Sequence, residues 1–284
     1  MEHLVQNISD TARWVATFRA DESERPDALF HDPFARRLAG ERGEQIANKI
    51  EFSRKNSWAF VARTYLLDEL VDRHVKNGFD MIINLAAGLD TRPYRMNLPS
   101  TLTWIEVDLS EILNYKETVL TNEKPVCILE RIQLDLSDRQ KRLELFRQLG
   151  HRTKKAFIIS EGLIIYLDAQ EAGALADDLS GQEHFLRWAF DLSSPAVLAM
   201  AQKEMGPALK EANVVFKFAP EEGEDFFLNH GWKNLESHSN LKTAATLKRL
   251  PEEMMDYAAL PEPEGPRRPF PWSGVCLFEN MNKS

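Results

Sequence analysis

The stretch Ile82-Ile83-Asn84-Leu85-Ala86-Ala87-Gly88-Leu89-Asp90-Thr91-Arg92 constrains the fold of this chain more than any other. A short apolar run leads into a turn of small residues. A second strand-like run, Leu102 to Val107, then closes on Asp108, twenty positions past Gly88. A strand, a glycine turn and an acid closing the next strand form one half of an open α/β sheet. The glycine lets the backbone approach a bound nucleoside, and the carboxylate accepts hydrogen bonds from ribose hydroxyls.

The rest of the chain supports that architecture. Helices are expected over about Val5 to Ala20, and from an Asp32 cap with Pro33 at the first helical position. Another helical region carries Ala59, Ala62, Leu66, Leu67, Leu70 and Val71 at helical spacing and stops near Asn77-Gly78. From Phe79 onward, strands alternate with helices. The expected strands are Asp80–Ala86, Leu102–Val107, Val126–Gln133, Ala156–Ser160, His184–Asp191, Trp232–Glu236 and Gly274–Phe278. The expected helices are Glu111–Leu120, Ser137–Leu149, Ala169–Leu179 and a stretch after Pro195. This alternation predicts an α/β fold with a central, mostly parallel seven-stranded sheet and helices on both faces. Ile83, Phe157, Ile158 and Ile159 sit in nearly continuous apolar runs, as doubly covered strands require. One domain is expected. It divides into an N-terminal helical cap (1–78), a cofactor-binding core (79–194), a substrate lid insertion (195–230) and C-terminal strands completing the sheet (231–284). The segment Pro261 to Pro271 holds five prolines and one glycine and reads as a stiff loop before the last strand.

A formal charge of −9 without a long basic block argues against nucleic acid as the partner. Cys127 and Cys276 are the only cysteines, each within a strand-like run, which fits packed thiols in a reducing compartment. The amino terminus has no continuous apolar core, so no signal peptide is expected, and no apolar run approaches the ~20 residues of a membrane span. These features predict a cytoplasmic protein without a membrane partner.

Four polar clusters fall where the first four strands should end: Gly88 with Asp90, then Asp108, then Asp135-Leu136, then Glu161-Gly162. Each acid alone could simply cap the following helix, but four in succession point to a ligand edge, since Ser or Thr caps equally well. A dinucleotide needs several glycines so that backbone N–H groups surround its phosphates, whereas this turn has only Gly88 before Leu89, Asp90 and Thr91. A loop with an aspartate beside the ligand suits a cofactor without phosphates, and S-adenosylmethionine fits. Arg63 lies on the apolar stripe of its helix, four residues from both Ala59 and Leu67. A guanidinium there needs an anion, either a sheet acid or a bound carboxylate.

Together these residues resemble the leucine carboxyl methyltransferase family, especially its bacterial branch of S-adenosylmethionine-dependent O-methyltransferases, some of them polyketide-type. The resemblance covers Arg13-Trp14 to Arg19-Ala20, Phe30-His31-Asp32-Pro33-Phe34-Ala35, Arg63-Thr64, Ala87-Gly88-Leu89-Asp90-Thr91-Arg92, Glu106-Val107-Asp108, Asp135-Leu136, Ser160-Glu161-Gly162 with Tyr166, and Gly231-Trp232. It implies a Rossmann-like class I methyltransferase fold. It also implies a cofactor set of Arg63, Ala87, Gly88, Asp90, Asp108, Leu109, Asp135, Leu136 and Glu161. Within that set Arg63 would clamp the cofactor carboxylate, Gly88 would lie against the methionine moiety and Asp108 would hold the ribose. Asp135 and Leu136 would frame the adenine, and Glu161 would face the methionine amino group. Arg19, Arg92 and Tyr166 are the candidate substrate contacts, with Arg63 and Tyr166 the candidate catalytic residues.

The implied reaction is methyl transfer to an oxygen of a small-molecule acid or polyketide-like acceptor, by a monomer or homodimer. A carboxylate is already an anion at neutral pH and needs no base. A hydroxyl acceptor would need a base or a metal. The seven histidines are scattered without metal-ligand spacing, so no metal is expected, and His230 is the one candidate base. A protein C-terminal carboxyl methyltransferase, a dinucleotide-dependent dehydrogenase and a non-catalytic cofactor-binding protein remain as alternatives.

Overall fold

A computed structural model describes residues 8–210, 214–262 and 271–282. The proline-rich segment falls mostly outside these residues. Four helices open the chain: α1 (Ile8–Ser23), α2 (Ala35–Lys49), α3 (Glu51–Lys55) and α4 (Ser57–Lys76). The sheet region follows as β1 (Met81–Leu85), α5 (Arg92–Arg95), β2 (Thr103–Asp108), α6 (Ser110–Val119), β3 (Ile128–Gln133), α7 (Arg139–Gly150), β4 (Ala156–Ser160), α8 (Ala169–Ser180) and β5 (Phe185–Ser193). After α9 (Pro195–Lys210) come β6 (Trp232–Ser239), α10 (Asn240–Thr246), α11 (Met255–Ala259) and β7 (Ser273–Asn280).

The seven strands pair in the order β3-β2-β1-β4-β5-β7-β6. β1 to β5 are parallel, and β7 runs antiparallel to both its neighbours. The strand order reverses between β1 and β4, and their carboxyl ends are where an open α/β sheet leaves a crevice.

Successive residues of β1 enter different cores, as a pleated strand covered on both faces requires. Ile83 and Leu85 pack with Phe146 and Leu149 of α7 and Leu175 and Leu179 of α8, whereas Ile82 packs with Leu66, Leu67 and Leu70 of α4. Each such side chain contributes roughly 1.5–3 kcal/mol by leaving water. α4 thus closes one face of the sheet while holding its mid-helix residues over the crevice.

His74, near the end of α4, is buried against Phe157, with ring centroids 4.2 Å apart, and its Nδ1 lies 2.7 Å from the Leu70 carbonyl. Burial pushes its pKa down to about 4 from the ordinary 6.5. A folded pKa below the unfolded one leaves stability intact above pH 6.5 and removes it as pH falls toward 4. The wild type should therefore lose about 2 kcal/mol from this ring between pH 7 and 5. Urea denaturation at both pH values should show that loss, and His74→Leu should lack it.

The Asp32-Pro33 pair does not start α2 as expected. The helix begins at Ala35 with Phe34 as its N-cap residue. Asp32 instead forms a turn, its Oδ1 accepting from the Phe34 N–H at 3.2 Å, while its Oδ2 accepts from Arg19 Nε at 2.9 Å. An ion pair to α1 has taken the carboxylate that local sequence offered to the helix.

Candidate active site

A cavity of about 1380 Å³ opens over the carboxyl ends of β1, β2, β4 and β5, beneath α1 and α4. Arg19, Arg63, Ala87, Gly88, Asp90, Arg92, Asp108, Leu109, Asp135, Leu136, Glu161 and Tyr166 all line it. His230 does not; its Nδ1 pairs with Asp177 of α8 at 2.9 Å, so the candidate base is not among the residues lining the site.

The turn after β1 is tight. Ala86 and Gly88 both have positive φ, 54° and 48°. Glycine takes that conformation without cost, whereas alanine is held there by its surroundings. The Gly88 N–H donates to Asp108 Oδ2 at 2.6 Å, and the Leu109 N–H donates to Asp108 Oδ1 at 2.7 Å. Asp108 therefore does not cap α6, whose N-cap residue is Leu109. A carboxylate has about four acceptor positions, so two remain for a ligand. Burial raises the Asp108 pKa above the usual carboxylate range, against the pull of those two N–H groups. Asp135 likewise does not cap the helix after it: its Oδ1 accepts from the Ser137 N–H at 2.9 Å, and α7 is capped by Asp138 instead.

A lattice of ion pairs forms the floor. From α4, Arg63 reaches Glu161 Oε1 through Nε and Asp191 Oδ2 through Nη1, each at 3.1 Å. Gly162, at φ 69°, donates its N–H to Asp191 Oδ1 at 2.6 Å, and a Cβ there would lie 3.6 Å from Arg63 Nη1. Arg92 lies deeper and is 1% exposed. It contacts Asp68 at 2.6 Å, Asp90 at 3.0 Å, Glu161 at 2.9 Å and the Thr64 carbonyl at 3.4 Å. Those contacts use four of the five guanidinium N–H groups. Arg92 thus braces the acids from below, and the expected contact to a substrate carboxylate does not fit that burial. Burial would raise Asp90, but Arg92 and its neighbours hold its pKa at about 2. Glu161 stays below the usual carboxylate range for the same reason, Arg92 and Arg63 outweighing its burial.

Arg19 is also committed, to Asp32 and to the Leu89 carbonyl at 2.6 Å, so it ties α1 to the glycine turn. The Tyr166 hydroxyl bonds the Thr11 side chain, burial raises its pKa, and its ring packs 5.4 Å from Phe216.

Sequence reading missed Asp191 and Asn84. Asp191 follows the rule used for the other acids, an acid near the end of an apolar strand, but the series stopped at the fourth strand. Asn84 is 1% exposed, donates to Asp90 Oδ2 at 2.7 Å and leaves its own Oδ1 without a partner beside the cavity. An open buried acceptor of this kind, with the two free positions on Asp108, suits a ligand bearing hydroxyl and ammonium donors.

Residues 12–180 match the family model described as leucine carboxyl methyltransferase. The chain belongs to the leucine carboxyl methyltransferase family. It is 30% identical over 249 residues to a Streptomyces avermitilis protein assigned as an S-adenosyl-L-methionine-dependent methyltransferase, covering 84% of this chain and 87% of that one. A Streptomyces coelicolor protein assigned the same way is also 30% identical, over 78% of this chain and 82% of its own. Among solved structures, a protein of Thermobifida fusca assigned as a methyltransferase superposes with a TM-score of 0.58 at 14% identity, covering 99% and 96% of the two chains. A DUF574 family protein from Streptomyces avermitilis also reaches 0.58, at 12% identity over 94% and 96%. These two likenesses show a shared fold. The enzyme is thus an S-adenosylmethionine-dependent methyltransferase of this family.

Proposed function

We propose that this methyltransferase transfers the methyl group to a carboxylate oxygen of a small-molecule acceptor held in the apolar part of the cavity. One observation carries the reading: Asp108, with two acceptor positions open, stands beside the Gly88 turn and in the same cavity as Arg63. Asp108 would take the ribose hydroxyls, Asp135 and Leu136 the adenine, and Glu161 the methionine ammonium. Arg63 keeps three N–H groups free of the two acids that orient it, so it can bind the methionine carboxylate without breaking either pair. When bound, S-adenosylmethionine supplies a methyl group activated on a sulfonium.

The chain's own residues then have a positional task. They hold an acceptor already ionised at neutral pH, align its oxygen and exclude water, work that can supply several kcal/mol. α1 and the 195–230 region close over the site in this reading, the latter as the substrate lid, with Val197, Met205 and Phe216 on the cavity wall. Among the described residues no helix is long and apolar enough to cross a membrane. We place the enzyme in the cytoplasm.

A hydroxyl acceptor is the second reading. Asp191, near the end of β5 and beside Leu192 on the cavity wall, favours it, because its carboxylate has positions left to take a proton. Radiolabelled S-adenosylmethionine incubated with a panel of apolar carboxylic acids and phenols separates the two. A product that releases methanol in mild alkali is the expected methyl ester. A stable ether would favour the hydroxyl reading, and no transfer to any acid would reject the first.

A further inference from the structure

The cavity is larger than one cofactor requires, and its second half has a direction. Along the carboxyl edge, the strands after β4 are β5, β7 and β6. β5 and β6 end, and β7 begins, on that edge, with Ser193 opposite Ser273 and Ser239 opposite Gly274. Ser193, Ser239 and Ser273 all line the cavity, so it runs past the methionine position to the last strand. At ~4.8 Å per strand, three steps from β4 to β6 cover about 14 Å. Met200, Phe216, Tyr257 and Trp272 give this stretch an apolar wall.

The far end is polar. Lys242, half-buried on α10, lines the cavity. Every other cation lining it has a carboxylate: Arg19 has Asp32, Arg63 has Glu161 and Asp191, Arg92 has Asp68, and Arg139 and Arg142 share Asp178. Among the described residues Lys242 pairs with no carboxylate. Beside it, Asn240 is 5% exposed and donates Nδ2 to Ser273 Oγ at 3.3 Å, leaving Oδ1 without a partner. A half-turn of that carboxamide would let the Ser273 hydroxyl donate to Oδ1 and free Nδ2 for a ligand. An unmatched ammonium in a mainly apolar channel favours an anion strongly, since burial weakens screening by water.

We propose that the acceptor is an elongated, chiefly apolar acid with a second anionic group about 14 Å from its methyl-receiving end. Lys242 selects it by pairing with that distal group. The proposal rests on the cofactor assignment above and adds to it the length and far-end charge of the substrate.

Laurate and dodecanedioate, a pair differing only in the second carboxylate, provide the probe. Each is titrated by calorimetry into protein saturated with S-adenosylhomocysteine. Dodecanedioate should bind at least tenfold more tightly. Lys242→Met should erase that preference and Lys242→Arg should keep it, with S-adenosylhomocysteine affinity unchanged in both. Equal affinities in the wild type, binding of neither acid, or a preference that survives Lys242→Met overturns the proposal. Failure of S-adenosylhomocysteine to bind, seen before any acid is added, overturns the cofactor assignment and this proposal with it.

Discussion

Arg92→Met should cost about 3–5 kcal/mol of folding stability, the usual result of deleting one member of a buried charge network. The arginine contacts Asp68, Asp90 and Glu161 at once. Asp68 would keep Arg95 and Glu161 would keep Arg63, but Asp90 would lose its directly bonded cation, keeping hydrogen bonds from Asn84 and the backbone N–H of residue 92 and only the more distant charges of Arg95 and Lys116. The sign of the pH dependence identifies the cause. In the wild type, a carboxyl held at about 2 contributes stability above the unfolded value near 4 that is lost only as pH falls from there toward 2. Without the guanidinium, burial raises that pKa, so the variant carries an unmatched anion at pH 7 that protonation relieves. Chemical denaturation should therefore show a smaller deficit at pH 5 than at pH 7. A deficit that grows as the solution is acidified would place the damage elsewhere.

Asp108→Ala should weaken S-adenosylhomocysteine binding about 100-fold by calorimetry. Two hydrogen bonds to a charged acceptor contribute about 1.5 kcal/mol each, and 1.4 kcal/mol is a factor of ten. Asp108→Asn, which keeps one oxygen, should lose about tenfold. Because burial raises the Asp108 carboxyl, wild-type affinity should begin to fall at a higher pH than an ordinary aspartate near 3.9 would give. Protonation turns one acceptor oxygen into a donor, which a ribose hydroxyl pair tolerates poorly. Unchanged affinity in the alanine variant would remove Asp108 from the ribose role.

The sheet was legible because its strands are buried on both faces. Ala156–Ser160 has the bounds read from sequence, and all seven expected strands are present within a few residues. The antiparallel placement of β7 between β5 and β6 was not legible, since strand order is set by packing between distant segments. The acids at the strand ends were legible as a series, although the series stopped one strand before Asp191. What local sequence could not show was which charges were already matched. Arg92 looks available beside Asp90, yet its closest carboxylate belongs to Asp68 on another helix. Asp32 before a proline looks like a helix cap, yet Arg19 claims it. An ion pair across tens of residues leaves no periodic trace, so these assignments needed coordinates.

The lattice beneath the cavity has a further consequence for the medium in which the enzyme works. Mobile electrolytes reach pairs at the surface, such as Lys55 with Glu51, and weaken them as ionic strength rises. They scarcely reach Arg92 or Asp90. A brine that loosens the outer shell should leave the geometry of the cavity floor, and with it the alignment proposed for methyl transfer, almost untouched.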